Sequence, residues 1–225
     1  ARGHRVRVIE RSDRVGGVAA LAGPGAPLID WLCGEVARAG VDVQLRTEFT
    51  SSRPGEIVVQ CTGSRAGNRA YEVAAGAIVV DVVDVHRGVV LPAGPIALFD
   101  PIGGPIAIAL AEQFGERAIL ITQDLIAGNE LSRTGDLAPA NVRLQRLGVR
   151  IERRSLLRSV RPDGVELEDR FSGERRMVAC AALVDCGFRL PTEPMAVAIA
   201  QAGDCVAPRT IHEAVLEARR VALSL

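Results

Sequence analysis

The sequence contains no lysine, and all 27 of its basic residues are arginine. That absence removes Schiff-base chemistry, a P-loop lysine and a Ser–Lys catalytic pair. Arginine stays protonated at any working pH, so no basic side chain here can act as a general base. Aromatic residues make up only 3% of the chain, and Trp31 is the single tryptophan. Histidine is scarce as well: His4, His86 and His212 lie far apart, without the H-E-x-x-H spacing of a zinc site. Cysteines stand at 33, 61, 180, 186 and 205, an odd set with no C-x-x-C pair and no cluster-like spacing. Their apolar or glycine-flanked surroundings predict buried free thiols in a reducing compartment. No apolar run approaches the ~20 residues of a membrane span. The chain opens Ala1-Arg2-Gly3-His4 with no signal peptide, so the expected location is the cytoplasm. The 27 acidic side chains cancel the 27 basic ones, which argues against nucleic acid or an anionic membrane as partner.

What is present is ordinary for a globular protein: 225 residues, 48% hydrophobic and 24% charged, enough for one large domain or two small interleaved ones. Arg5–Glu10 predicts a short strand ending in an acid, followed by a turn through Val15-Gly16-Gly17. Apolar residues at 28, 29, 32, 36 and 37 predict a helix from Pro27 to Ala39, closed by Gly40. Strands follow at 41–45 and 56–60. Residues 65–94 are glycine-rich and predict a connection with one or two short strands around 77–83. A second unit then alternates strand (95–99), helix (104–114), strand (117–122) and helix (136–147). Strands at 149–153, 156–160, 165–169, 181–185 and 198–202 come next, with a hairpin at 171–174, and a long helix runs from Arg209 to the end. Strands alternating with helices predict an α/β fold with mostly parallel sheets.

Three segments bear on chemistry. Glu10 ends a strand, where dinucleotide-binding units place the carboxylate that accepts from the hydroxyls of an adenosine ribose. Val58–Ser64 is an apolar strand ending in Thr62-Gly63, a pattern repeated at Leu183–Gly187, and glycine there admits close approach by a bulky ligand. Gln201–Arg209 runs through Gly203-Asp204 toward the last helix, so Asp204 either meets a ligand hydroxyl beside free helix N–H donors or caps that helix. Weaker candidates are an Asp136–Arg133 ion pair, His212-Glu213 facing solvent in preference to the cofactor edge, solvated Arg153-Arg154 and Arg175-Arg176, and Trp31 as core or interface.

Together, Gly3–Gly17, Cys61-Thr62-Gly63-Ser64 and Gly203–Arg209 resemble the pyridine-nucleotide-disulfide-oxidoreductase fold. More narrowly, with Leu131–Leu137, Asn141 and Asp169–Arg176, the chain resembles the C-terminal half of the NADH:flavin oxidoreductase family. That family includes 2,4-dienoyl-CoA reductase, trimethylamine dehydrogenase and mycofactocin-associated old-yellow-enzyme-like proteins. The resemblance implies two interleaved Rossmann-like domains. The first would be an FAD/ADP-binding domain made of 1–92 and 183–225, and the inserted second a degenerate NAD(P)-like domain over 93–182. By the same resemblance Glu10, with Arg11 beside it, holds the adenosine ribose of FAD or ADP. Gly16-Gly17 passes near the cofactor, Thr62-Gly63 packs against the dinucleotide, and Gly203-Asp204 contacts the flavin ribityl or pyrophosphate region.

The departures set further expectations. The family's first strand and its G-x-G-x-x-G loop fall before residue 1, so the first domain is expected to be N-terminally truncated, with its neighbouring strands partly unpaired. The barrel with FMN and its 4Fe-4S cluster would also lie upstream and act as this segment's partner. In the second unit the three glycine positions of the loop fall on Asp100, Ile102 and Pro105, where a carboxylate would face a pyrophosphate with like charge. Thr122-Gln123 stand where an acid or arginine would choose between NAD and NADP. No residue is a convincing proton donor or nucleophile, so no catalytic and no metal-binding residue is expected. The function implied is the dinucleotide-binding portion of a flavin-dependent oxidoreductase, relaying electrons or supporting structure. The rival reading is a non-catalytic scaffold or remnant of that fold.

Overall fold

The computed structural model describes residues 3–21 and 26–225. The chain divides into two compact units, one formed by the part up to Arg65 with Arg189–Leu225, the other by Ala66–Phe188. The crossings thus fall at 65/66 and 188/189, rather than at 92/93 and 182/183. Strand pairing gives the reason: segments 72–73, 79–81 and 182–185 all pair with strands of the second unit.

The first unit begins with β1 (Arg7–Ile9), a 3-10 turn at Gly17–Leu21, α1 (Ala26–Arg38) and β2 (Asp42–Gln44). Gly40, at φ +67°, ends α1 and lets Val41 lead into β2, which pairs in parallel with β1. Next come β3 (Val59–Gln60), shorter than the 56–60 expected, and β4 (Ser64–Ala66).

In the second unit follow β5 (Glu72–Val73), β6 (Val79–Asp81), α2 (Val82–His86), β7 (Ile96–Asp100), α3 (Pro105–Phe114), β8 (Ala118–Thr122) and α4 (Leu137–Arg146). Then come β9 (Arg150–Glu152), β10 (Ser155–Arg161), β11 (Gly164–Asp169), β12 (Arg175–Ala179) and β13 (Ala182–Asp185). Five strands form a parallel sheet in the order β6-β13-β7-β8-β9. A second sheet, β12-β11-β10-β5, is an antiparallel meander with β5 added in parallel. The helix α2 was not legible in the glycine-rich 65–94 stretch. It is a single short helix started by Asp81, whose side chain accepts from Val83 N–H, and such a turn leaves little periodicity to read.

Both faces of the parallel sheet are covered, so its strands are apolar without alternation. Ile96 and Leu98 of β7 join the cluster under α3 and α4, while Ala97 faces the meander with Leu157, Val165 and Leu167. Each such fully buried aliphatic side chain contributes roughly 2 kcal/mol of transfer free energy.

The chain returns to the first unit through β14 (Arg189–Pro191), β15 (Ala200–Gln201) and α5 (Ile211–Ser224). β14 pairs with β4, and β15 pairs in parallel with β3. Among the described residues the first unit's parallel strands therefore form two separate pairs, β1–β2 and β15–β3. Neither α1 nor α5 carries a fully buried side chain. Trp31 is 57% exposed, which removes the core reading of that residue.

Candidate functional site

In the first unit the predicted residues fall into two groups. The first group lies at the carboxyl end of β1. Glu10 is half-buried, and its backbone continues the β1–β2 ladder through Gln44 and Thr47. Its Oε1 accepts from the N–H of Ser12 at 2.8 Å, and Ser12 Oγ, with one proton to give, lies 2.7 Å from that oxygen and 2.6 Å from the Arg14 carbonyl. This short loop fixes the carboxylate rotamer while Oε2 makes no hydrogen bond among the described residues. Arg11 is exposed beside it. Gly16 has a packing reason of its own: at φ +113° a Cβ would stand 2.6 Å from Ile29 Cγ2, so only glycine lets this turn lie against α1. Gly17 is exposed and open.

The second group gathers around β3 and β15. Gln60, 2% exposed, is its hub. Its amide nitrogen donates to Thr62 Oγ1 at 2.8 Å and to the Glu193 carbonyl at 2.9 Å. Its amide oxygen accepts from Met195 N–H and from Gln201 Nε2, each at 2.8 Å. Thr62 and Thr192 hydroxyls share a hydrogen bond of 2.6 Å, and Thr192 also donates to the Gly63 carbonyl at 3.2 Å. Gly63 and Gly203 have open space where a side chain would start or meet only a distant methyl. Asp204 is half-buried, accepting from Ser64 Oγ at 3.3 Å, and Gly203 N–H donates to Glu217 at 3.0 Å. Thr62 and Gly63 thus share one polar network with Gln60 and Thr192, while Asp204 bonds to Ser64 and Gly203 to Glu217. Composition and motif reading missed Gln60, Ser64 and Thr192. The available signal was a glutamine closing the apolar run Ile57-Val58-Val59, since a polar side chain buried there needs partners.

Helix α5 does not serve this group as expected. Its N-cap is Thr210, locked in a capping box with Glu213, so Asp204 is not the cap. His212 is exposed, as expected. Asp136 pairs with Arg143 at 2.9 Å while Arg133 pairs with Glu130, which corrects the Asp136–Arg133 expectation. The Arg143 guanidinium holds the Asp136 carboxyl below its ordinary range. Arg154, Arg175 and Arg176 are tied to Asp169, Glu168 and Glu152 rather than merely solvated. Cys180, Cys186 and Cys205 are buried, Cys33 is half-buried, but Cys61 is exposed against expectation, because it lies past the end of β3.

In the second unit the strand-to-helix loop after β7 does not present Asp100 outward. Asp100 is 1% exposed and folds back on its own loop. Burial pushes its carboxyl up to about 6, against the lowering effect of the Gly103, Ile102 and Gly104 backbone donors. A cavity of about 320 Å³ on the meander is lined by Ala70, Tyr71, Glu72, Arg158, Glu166 and Arg175. Its arginines are already paired with Glu168 at 2.7 and 3.1 Å. Among the described residues no cluster of side chains could hold a metal ion, and no helix is long and apolar enough to cross a membrane.

The two units define an α/β fold similar to the FAD/NAD(P)-binding Rossmann-like domains of disulfide oxidoreductases. No family model and no curated protein matches the sequence. Among solved structures, histamine dehydrogenase from Rhizobium sp. 4-9 superposes with a TM-score of 0.86 at 20% identity, over 100% of this chain and 38% of that one. Thioredoxin reductase from T. acidophilum gives 0.67 at 12% identity, covering 99% of this chain and 90% of that one. The HOCl-induced flavoprotein disulfide reductase RclA from Escherichia coli gives 0.60 at 15%, covering 99% and 66%. The chain therefore spans little more than a third of the dehydrogenase it resembles in fold.

Proposed function

We propose that the first unit binds an adenine nucleotide, FAD or ADP, as the dinucleotide-binding portion of a larger flavin-dependent oxidoreductase. The observation that carries this reading is Glu10, a strand-end carboxylate held by Ser12 on Oε1, with no hydrogen bond on Oε2 among the described residues. The residues fit the group. Glu10 accepts from the adenosine ribose, with Arg11 exposed beside it to meet phosphate. Gly16-Gly17 carries the chain past the nucleotide. Thr62-Gly63 and Gly203 leave room for a close approach, and Asp204, beside Ser64, accepts from the ribityl or pyrophosphate side. Bound FAD supplies reversible electron transfer; bound ADP supplies structure alone. The chain's own residues bind and orient, and none is assigned a catalytic or metal-binding role. Electron relay to an FMN/4Fe-4S barrel in the same polypeptide is part of this proposal, supported by the likeness to a segment of a longer dehydrogenase.

One observation favours a second reading, a scaffold or remnant that binds nothing tightly: the first unit's parallel strands stand in two separate pairs. Cofactor retention separates the readings. The protein is expected to bind ADP or FAD in calorimetry, and Glu10→Ala or Asp204→Ala should each weaken it about tenfold, the loss of one charge-assisted hydrogen bond. Unchanged affinity in both variants defeats the site assignment, and no binding by the parent chain favours the scaffold.

A further inference from the structure

The loop after β7 is closed by the protein itself. Asp100 Oδ1 accepts from Gly103 N–H at 2.8 Å and Ile102 N–H at 3.2 Å, and the Gly104 N–H also acts on the same carboxylate. Successive backbone donors converging on one acceptor make a nest, the arrangement with which such loops hold an anion. The nest leads directly into α3, whose N-cap is Gly104 with no side-chain hydrogen bond and Pro105 in its first turn. The positive end of the helix dipole therefore adds to the nest. The loop shape is fixed: Gly103, at φ +75°, accepts on its carbonyl from Glu130 N–H at 2.9 Å, and a Cβ there would stand 3.0 Å from Asn129 N. Among the described residues Asp100 Oδ2 is buried without a hydrogen-bond partner. A carboxylate that leaves one oxygen orphaned in the interior is a poor packing choice, since an unpaired buried oxygen costs about 1–3 kcal/mol. Its charge, held at the loop's donors, is what it contributes.

We propose that Asp100 is an internal anion, its carboxylate filling a phosphate-binding nest at the start of α3 and thereby closing the second unit to the pyrophosphate of a dinucleotide. In α/β nucleotide-binding units the pyrophosphate sits at this strand–loop–helix junction, on these donors. Here the donors are spent, and an incoming phosphate meets fixed negative charge. Asp124 acts on Asp100 from the loop just after β8, and Asp185 and Asp81 end β13, beside β7, and β6, the next strand out. The inference stands on the second unit alone, so it survives failure of the nucleotide reading of the first.

The test is anion rescue, read by hydrogen exchange at the amides of residues 102–104 in inorganic phosphate, formate or chloride of equal ionic strength. In the unmodified protein phosphate should change nothing relative to chloride. In Asp100→Gly, which frees the donors, phosphate should slow exchange at these amides about tenfold relative to chloride. No phosphate effect in Asp100→Gly, protection by formate alone, or phosphate protection already present in the unmodified protein each overturns the proposal. If Asp100→Gly does not fold, Asp100→Asn decides, because it keeps the shape and removes the charge. Its affinity for inorganic pyrophosphate should rise about tenfold, a change of about 1.4 kcal/mol; exclusion as complete as in the unmodified protein overturns the proposal. Nucleotide binding near Glu10 is followed separately through the amides of Glu10 and Ser12.

Discussion

The two units place an acid at the carboxyl end of a parallel strand and use it in opposite ways. Glu10 after β1 is half-buried, oriented by a neighbouring serine, and keeps an oxygen for something else. Asp100 at the end of β7 is sealed inside and engaged by its own loop. The same contrast runs through the packing. Both apolar core clusters, from Tyr71 to Cys186, lie wholly within the second unit. In the first unit the fully buried residues among those described are Gln60, Ala202 and Cys205. The lesson is a division of labour: one unit is well packed with its nucleotide loop filled, while the other is sparsely packed and keeps its strand-end carboxylate at the surface.

The packing half of that contrast breaks or holds on a pair of truncations. Leu98→Ala removes a fully buried side chain of the parallel sheet and should cost about 3–4 kcal/mol in urea unfolding. Trp31→Ala, on the exposed face of α1, should stay within about 0.5 kcal/mol. Comparable losses at the two positions would mean that the first unit owns a core of its own.

The acid half is sharpened by pH. Burial raises the Asp100 carboxyl from its ordinary 3.8 to about 6, so the folded second unit holds this proton more tightly than the unfolded chain does. Stability from that proton is fully present below pH 3.8 and is lost as pH rises through about 6; the gap corresponds to about 3 kcal/mol. Asp124 and the buried Cys186 thiol also bear on this group, and the thiol is itself pushed up by burial. Asp100→Asn should therefore gain on the unmodified protein between pH 4 and pH 7, by an amount approaching that figure. Parallel pH–stability curves for the two proteins would show that Asp100 titrates normally.

The polar network of the first unit should yield next. Gln60→Leu keeps the volume roughly but leaves Met195 N–H and the Gln201 amide without their acceptor. A loss of about 1–3 kcal/mol is expected, with weaker nucleotide retention alongside it. If stability is unchanged, the network is solvated rather than structural.

How far the sequence carried these conclusions differs by element. Strands 96–100 and 118–122 and the helices after them were legible because continuous apolar runs bounded by Pro105, Gly128 and Gly148 leave one reading. Glu10, Thr62-Gly63 and Gly203-Asp204 were legible as motifs, since each joins a strand end to a residue of special chemistry. Gln60 and Thr192 were not, because their partnership spans 132 positions and no local pattern encodes it. The orientation of Asp100 was unreadable for a related reason: sequence places the acid in the loop, but only the backbone path decides whether it faces out or turns back. That β5 and β6 go with the second unit was not legible, because both are very short and their membership rests on pairing with β10 and β13.

The smallest effect tests whether Glu10 is prepared for a ligand or merely satisfied. Ser12 donates to Glu10 Oε1 through its N–H and shares its one Oγ–H between that oxygen and the Arg14 carbonyl, and the hydroxyl disappears in Ser12→Ala. On an exposed loop that hydrogen bond should be worth about 0.5–1 kcal/mol at most. Its loss acts on nucleotide affinity in one of two directions. If Ser12 orients the carboxylate, the variant should bind ADP or FAD two- to fivefold more weakly, the equivalent of about 0.4–1 kcal/mol. If instead the serine competes with the ribose for the same oxygen, affinity should rise by a similar factor. The geometry favours the first outcome, because the backbone N–H of Ser12 stays on Oε1 in either case and Oε2 is the oxygen left for the ligand. An increase would place Glu10 with Asp100, as a second acid spent on its own loop, and the contrast between the units would then rest on packing alone.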